Sequence, residues 1–118
     1  MIKKILIIIG TLFIFLPLMT YAGGPAARIG DPTSHGGIIT TGKGNVLIEG
    51  KPAATIGDYA TCPLGGYPTP PHIGGPISTG SSTVLINGSP AAHTGSLVIE
   101  NSAISTVIGG ASTVNIGD

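Results

Sequence analysis

One short phrase is written three times in this chain, as Pro25-Ala26-Ala27-Arg28-Ile29-Gly30-Asp31, Pro52-Ala53-Ala54-Thr55-Ile56-Gly57-Asp58 and Pro90-Ala91-Ala92-His93-Thr94-Gly95-Ser96. A second phrase recurs between the copies, as Asn45-Val46-Leu47-Ile48-Glu49-Gly50, Thr83-Val84-Leu85-Ile86-Asn87-Gly88 and Thr113-Val114-Asn115-Ile116-Gly117-Asp118. A repeat of this kind decides architecture before any other feature, because each copy is one supersecondary unit that must stack on its neighbours. It implies a small β unit used three times and a body with quasi-threefold symmetry.

The copies begin only after a different kind of segment. Lys3 and Lys4 precede an apolar run from Ile5 to Met19, and Thr20-Tyr21-Ala22 places small residues where a leader is cut. That order is expected of a secretory signal peptide or a membrane anchor over residues 1–22, followed by one domain over 23–118. The run is short for a spanning helix, which needs about 20 residues. Beyond it, Arg28, Lys43 and Lys51 face Asp31, Glu49, Asp58, Glu100 and Asp118. The mildly acidic balance, with no Lys/Arg cluster, lacks the electrostatic footprint of a nucleic-acid-binding protein.

No stretch after Ala22 carries an apolar face at helical spacing, and Gly and Pro interrupt the chain every few residues. The β signal is better. Val46/Ile48, Val84/Ile86 and Val114/Ile116 alternate, which sends Leu47, Leu85 and Asn115 to the opposite face. Segments at 38–42, 76–80 and 106–110 are expected to pair with these strands, so that each unit is a hairpin followed by a Pro-Ala-Ala corner. Asp in the corner suits a tight turn, accepting backbone hydrogen bonds. Ala-Ala is too small to fill a core and fits where backbones approach closely.

A domain this small needs a staple. A disulfide within the chain is excluded, because Cys62 is the only cysteine. The three histidines are His35, His72 and His93. Together with Cys62 they form a His₃Cys set of the donor types that Zn²⁺ takes in tetrahedral sites. His35 and His72 fall seven and eight residues before Gly42 and Gly80, at the same corner of two copies. His93 replaces Arg28 and Thr55 of the other copies. Cys62 lies four residues after Asp58, and the matching place after Ser96 is Glu100, an oxygen donor. No zincin helix, nucleophile elbow or phosphate-cradling loop is present.

Pro25 to Gly37, Pro71-His72-Ile73-Gly74-Gly75-Pro76-Ile77 and the Thr83–Gly88 strand resemble the PAAR-repeat family over essentially all of residues 25–118. The resemblance implies an all-β, cone-shaped, pseudo-threefold domain. It would cap the trimeric β-helical spike protein (VgrG) of a type VI secretion system, sharpening it for contact with a target membrane. It also implies a zinc ion near the apex, with His35, Cys62 and His72 at the ligand places. The family's usual late Cys is replaced by Glu100, which leaves the fourth ligand between His93 and Glu100. Any delivered effector would be a separate chain. A mechanical role of this kind requires no enzymatic activity. Export by the leader points instead to a secreted or periplasmic metal-binding module, and His₃ with Glu100 as a base to a small zinc hydrolase.

Overall fold

The glycine of each repeated corner has a left-handed backbone, with φ of 95° at Gly30, 94° at Gly57 and 100° at Gly95. Side chains with a Cβ rarely adopt that conformation. The corner is closed the same way each time. Asp31 and Asp58 each accept a hydrogen bond through Oδ2 from the backbone N–H three residues earlier, and Ser96 Oγ does the same for His93. The computed structural model, which describes residues 23–63, 73–101 and 103–117, is built around these three corners.

The corners are joined in a ring. Ala27 N–H donates to the carbonyl of Ala92 (3.0 Å), Ala92 N–H to that of Ala54 (2.9 Å), and Ala54 N–H to that of Ala27 (3.0 Å). A parallel set runs from Ile29 to Pro52, from Ile56 to Pro90 and from Thr94 to Pro25. Backbone groups that would be left as open sheet edge are thus paired between copies, which satisfies them without a larger sheet.

The described residues form only strands, bridges and turns. The strands are β1 (Gly24–Pro25), β2 (Lys43–Ile48), β3 (Lys51–Ala53), β4 (Tyr59–Ala60), β5 (Gly75–Pro76), β6 (Leu85–Ile86), β7 (Ser89–Pro90), β8 (Leu97–Glu100), β9 (Ala103–Thr106) and β10 (Asn115–Ile116). They pair antiparallel as β2–β3, β4–β5, β6–β7, β8–β9 and β10–β1. The last pair, of Asn115 with Pro25 and Ile116 with Gly24, closes the ring between the two ends of the domain.

These pairings correct one expectation. The Val-Leu-Ile strand does not pair with the segment before it. It pairs with the strand that leads into the next corner, Leu47 opposite Pro52 and Leu85 opposite Pro90. The reason is the turn. Glu49-Gly50 and Asn87-Gly88 both have two successive positive φ angles (52° and 81°; 53° and 82°). That is a two-residue type I′ turn, whose twist matches a tight hairpin. The segments at 38–39 and 77 instead bridge sideways, Ile39 to Ala60 and Ile77 to Val98.

The strand faces fall as the alternation predicts. Ile48 and Ile116 are buried and Ile86 is half-buried, whereas Leu47 and Leu85 are each 60% exposed. The alanines sit where backbones approach closely, as expected, and they also enter the core. Ala26, Ala53 and Ala91 are wholly buried in one apolar layer with Ile48 and Ile116, and Ala27, Ala54 and Ala92 in a second with Ile39, Ile77 and Val107. They join these larger side chains in the core at the places where the ring draws three backbones together. Gly42, Gly80 and Gly110 mark the same crowding. A Cβ at these positions would lie 2.7–2.8 Å from the carbonyl oxygens of Ala53, Ala91 and Pro25.

Charged groups brace the corners from outside. Arg28 pairs with Asp31 (2.8 Å) and reaches Glu49 (2.8 Å), whose other oxygen accepts from the Thr113 backbone N–H at 2.8 Å. Lys43 pairs with Asp58 at 2.8 Å. Burial raises the pKa of Asp58, but Lys43, the Thr55 N–H and the Thr41 hydroxyl outweigh it and hold the carboxyl below its ordinary value.

Two predictions follow from the crowding and from this carboxylate. Gly42→Ala is expected to destabilise the domain by about 1–3 kcal/mol in thermal unfolding, the usual range for overpacking. Gly44→Ala, whose Cβ would enter open space, should leave the midpoint nearly unchanged. Because its folded pKa is depressed, Asp58 stabilises the fold fully above its unfolded value of about 4. That contribution is lost as pH falls through the lower folded value. Unfolding midpoints of Asp58→Asn should therefore fall less than those of wild type as the buffer is acidified.

Candidate metal centre

Each corner is followed by a short extended segment whose side chains alternate inward and outward. Inward residues in the three copies are Thr33 and His35, Ala60 and Cys62, and Val98 and Glu100. Thr33, Ala60 and Val98 are at most 1% exposed and occupy equivalent bridges, to Val107, Ile39 and Ile77 respectively. The next inward position, two residues on, is His35 in the first copy, Cys62 in the second and Glu100 in the third. All three lie four residues beyond the Asp or Ser that closes the corner. The ring thus delivers one donor from each repeat to a common point.

The donors meet there. Their ligand atoms all lie within 4.8 Å of one another. His35 Nδ1 is 2.9 Å from Glu100 Oε1 and 3.9 Å from Cys62 Sγ. Glu100 is wholly buried, and Ser105 Oγ donates to its second oxygen. Burial pushes the Glu100 carboxyl up, yet hydrogen bonds from Ser105, His35 and Cys62 prevail and hold it below its ordinary value. An ionised carboxylate only accepts, so His35 Nδ1–H is the donor in their contact.

A carboxylate with no water contact beside an imidazole and a thiol fits a bound cation. One nitrogen, one sulfur and one oxygen donor suit a borderline divalent metal. His35, Cys62 and Glu100 would hold it, and the metal would join the three copies where no apolar core remains.

The sequence set is only partly the structural one. His35 and Cys62 converge, while His72 lies outside the described residues. His93 is not brought to this group. It sits in the third corner, seven residues before Glu100, 7% exposed, with its Nδ1–H donating to the Thr94 carbonyl at 2.8 Å. The corner and the ligand point are separate places in each copy, and the residue at the Arg28 and Thr55 position engages its own corner instead. Glu100 supplies the third donor. The signal that identifies it is the common offset after each corner. That offset makes His35 the counterpart of Cys62 and Glu100.

One divalent ion per chain is the expected stoichiometry by elemental analysis. Cys62→Ser and Glu100→Gln should each weaken binding, and affinity should drop as the pH is lowered because the thiol and imidazole must give up protons to bind.

Two overlapping segments of the chain, residues 29–70 and 65–118, match the model of the PAAR motif family. No individual curated protein matches the chain significantly. The matched segments span all three converging donors and the second and third corners complete. With most of its length covered by that match, the chain belongs to the PAAR motif family.

Proposed function

We propose that this protein is a zinc-binding spike tip that caps a trimeric VgrG-like spike of a type VI secretion system. The observation that carries the reading is the hydrogen-bonded ring of three Pro-Ala-Ala corners, which gives one chain the symmetry of a trimer. A trimeric partner ends in three equivalent strand edges. The strand pairs β2–β3, β6–β7 and β10–β1 offer three corresponding edges for strand addition. Family membership supports the same assignment.

In this reading the domain tapers from the hairpin layer to the His35, Cys62 and Glu100 point as a cone. Zn²⁺ is the proposed ion, since it accepts N, S and O donors at tetrahedral sites. When bound it cross-links segments that packing alone does not hold. His72, which follows Cys62 by ten residues, is proposed as the fourth donor. The role is mechanical: a stiff apex meets the target membrane and any effector travels as a separate chain, so the reading assigns no catalytic residue.

A second reading rests on residues 1–22. Their leader-like order favours export of the domain over 23–118 to the periplasm as a metal-binding module. Co-expression with a trimeric spike protein separates the two. A stoichiometric complex of three spike chains and one tip on size exclusion is expected of a cap. A monomer that ignores the spike, with a mature chain starting at Gly23 in the periplasm, would establish the export reading instead.

A further inference from the structure

The third copy differs from the others at two positions that touch each other. Its ligand point carries Glu100 where the first and second have His35 and Cys62. Its next strand carries Ser105 where the others have Gly37 and Gly75. The equivalence follows from the ring: Gly30, Gly57 and Gly95 donate to the carbonyls of Ile39, Ile77 and Val107, each two residues beyond the position in question.

Glycine is required in the first two copies. A Cβ at Gly37 or Gly75 would fall 1.8 Å from the carbonyl oxygen of Thr61 or Ile99. The third copy has room for a side chain and uses it for a hydroxyl. Ser105 is opposite Val98 in the β8–β9 register, and Glu100 is opposite Ala103. Ser105 and Glu100 are therefore diagonal neighbours on the same face of the hairpin. Ser105 is 1% exposed and donates to Glu100 Oε2, while Oε1 turns to His35 Nδ1.

We propose that Ser105 is the positioning residue for the carboxylate ligand of this metal centre. An imidazole or a thiolate presents a single donor atom to the common point. A carboxylate presents two oxygens and turns about its terminal bond. The Ser105 hydroxyl occupies one oxygen and leaves Oε1 to face His35 and Cys62. The serine is thus the companion of the exchange to Glu100, and it sets how the oxygen donor is offered. Outer partners that orient ligands in this way contribute strongly to metal affinity.

The inference rests on the metal reading of the site. The test measures Zn²⁺ affinity by chelator competition and the visible absorption of the Co²⁺-loaded protein. Ser105→Ala should weaken Zn²⁺ binding by about 10- to 100-fold and alter the Co²⁺ spectrum. In a Glu100→Cys background the same substitution should change neither, since a thiolate needs no second-oxygen partner. The near-isosteric pair Ser105→Thr and Ser105→Val guards against a simple packing effect. Only the variant that keeps the hydroxyl should retain wild-type affinity. Unchanged Zn²⁺ affinity in Ser105→Ala overturns the proposal, as does an equal loss in the Glu100→Cys background or equal affinity of the Thr and Val variants. Wild-type protein that takes up neither Zn²⁺ nor Co²⁺ would instead overturn the metal reading itself.

Discussion

Three backbone hydrogen bonds, from Ala27 to Ala92, Ala92 to Ala54 and Ala54 to Ala27, set the geometry on which everything else in this domain depends. Each contributes only about 0.5–1.5 kcal/mol by itself. Their importance is topological. A closed ring of three corners leaves no free edge at that level and fixes the separation of the three copies at backbone contact distance. Alanine fits where the three corners meet, and only glycine fits at Gly42, Gly80 and Gly110, where a Cβ would press on a carbonyl oxygen. Core, turns and ligand point are consequences of that spacing.

The layers above and below the ring solve different problems. On the hairpin side the strands diverge enough for Val46, Ile48, Val84, Ile86, Val114 and Ile116 to pack on Ala26, Ala53 and Ala91. On the other side the inward positions pass from Thr33, Ala60 and Val98 to His35, Cys62 and Glu100. Apolar burial is non-directional and scales with area, so it weakens where little area is left to bury. A directional set of donors replaces it there. A wholly buried carboxylate is tolerable because Ser105, His35 and Cys62 satisfy it.

The copies are equivalent in backbone and unequal in side chains. Asp31 and Asp58 close two corners as carboxylates, while Ser96 closes the third with a hydroxyl. Arg28 and Lys43 accompany the two acids as counter-charges. His93 stands where Arg28 stands, but uses a backbone carbonyl as its partner. Divergence of this sort is open to a single chain and closed to a true homotrimer. It lets nitrogen, sulfur and oxygen donors meet from symmetry-related positions.

Much of the fold was legible in the chain itself. The threefold repeat, the β class, the inward and outward faces of the Val-Leu-Ile strands and the turn role of Asp31 and Asp58 follow from local chemistry that any copy displays alone. His35 and Cys62 were legible as donors because His and Cys are scarce. Tertiary structure decided the rest. Which strand pairs with which depended on the sign of φ at Glu49-Gly50 and Asn87-Gly88, and type I′ turns there favoured the following strand over the preceding one. Whether the alanines entered the core depended on how closely three distant segments approach. That Glu100 and not His93 stands beside His35 and Cys62 depended on how the ring places each of them. Such a donor cluster is a coincidence in space of residues far apart in sequence, and only the closing of the ring brings about that coincidence.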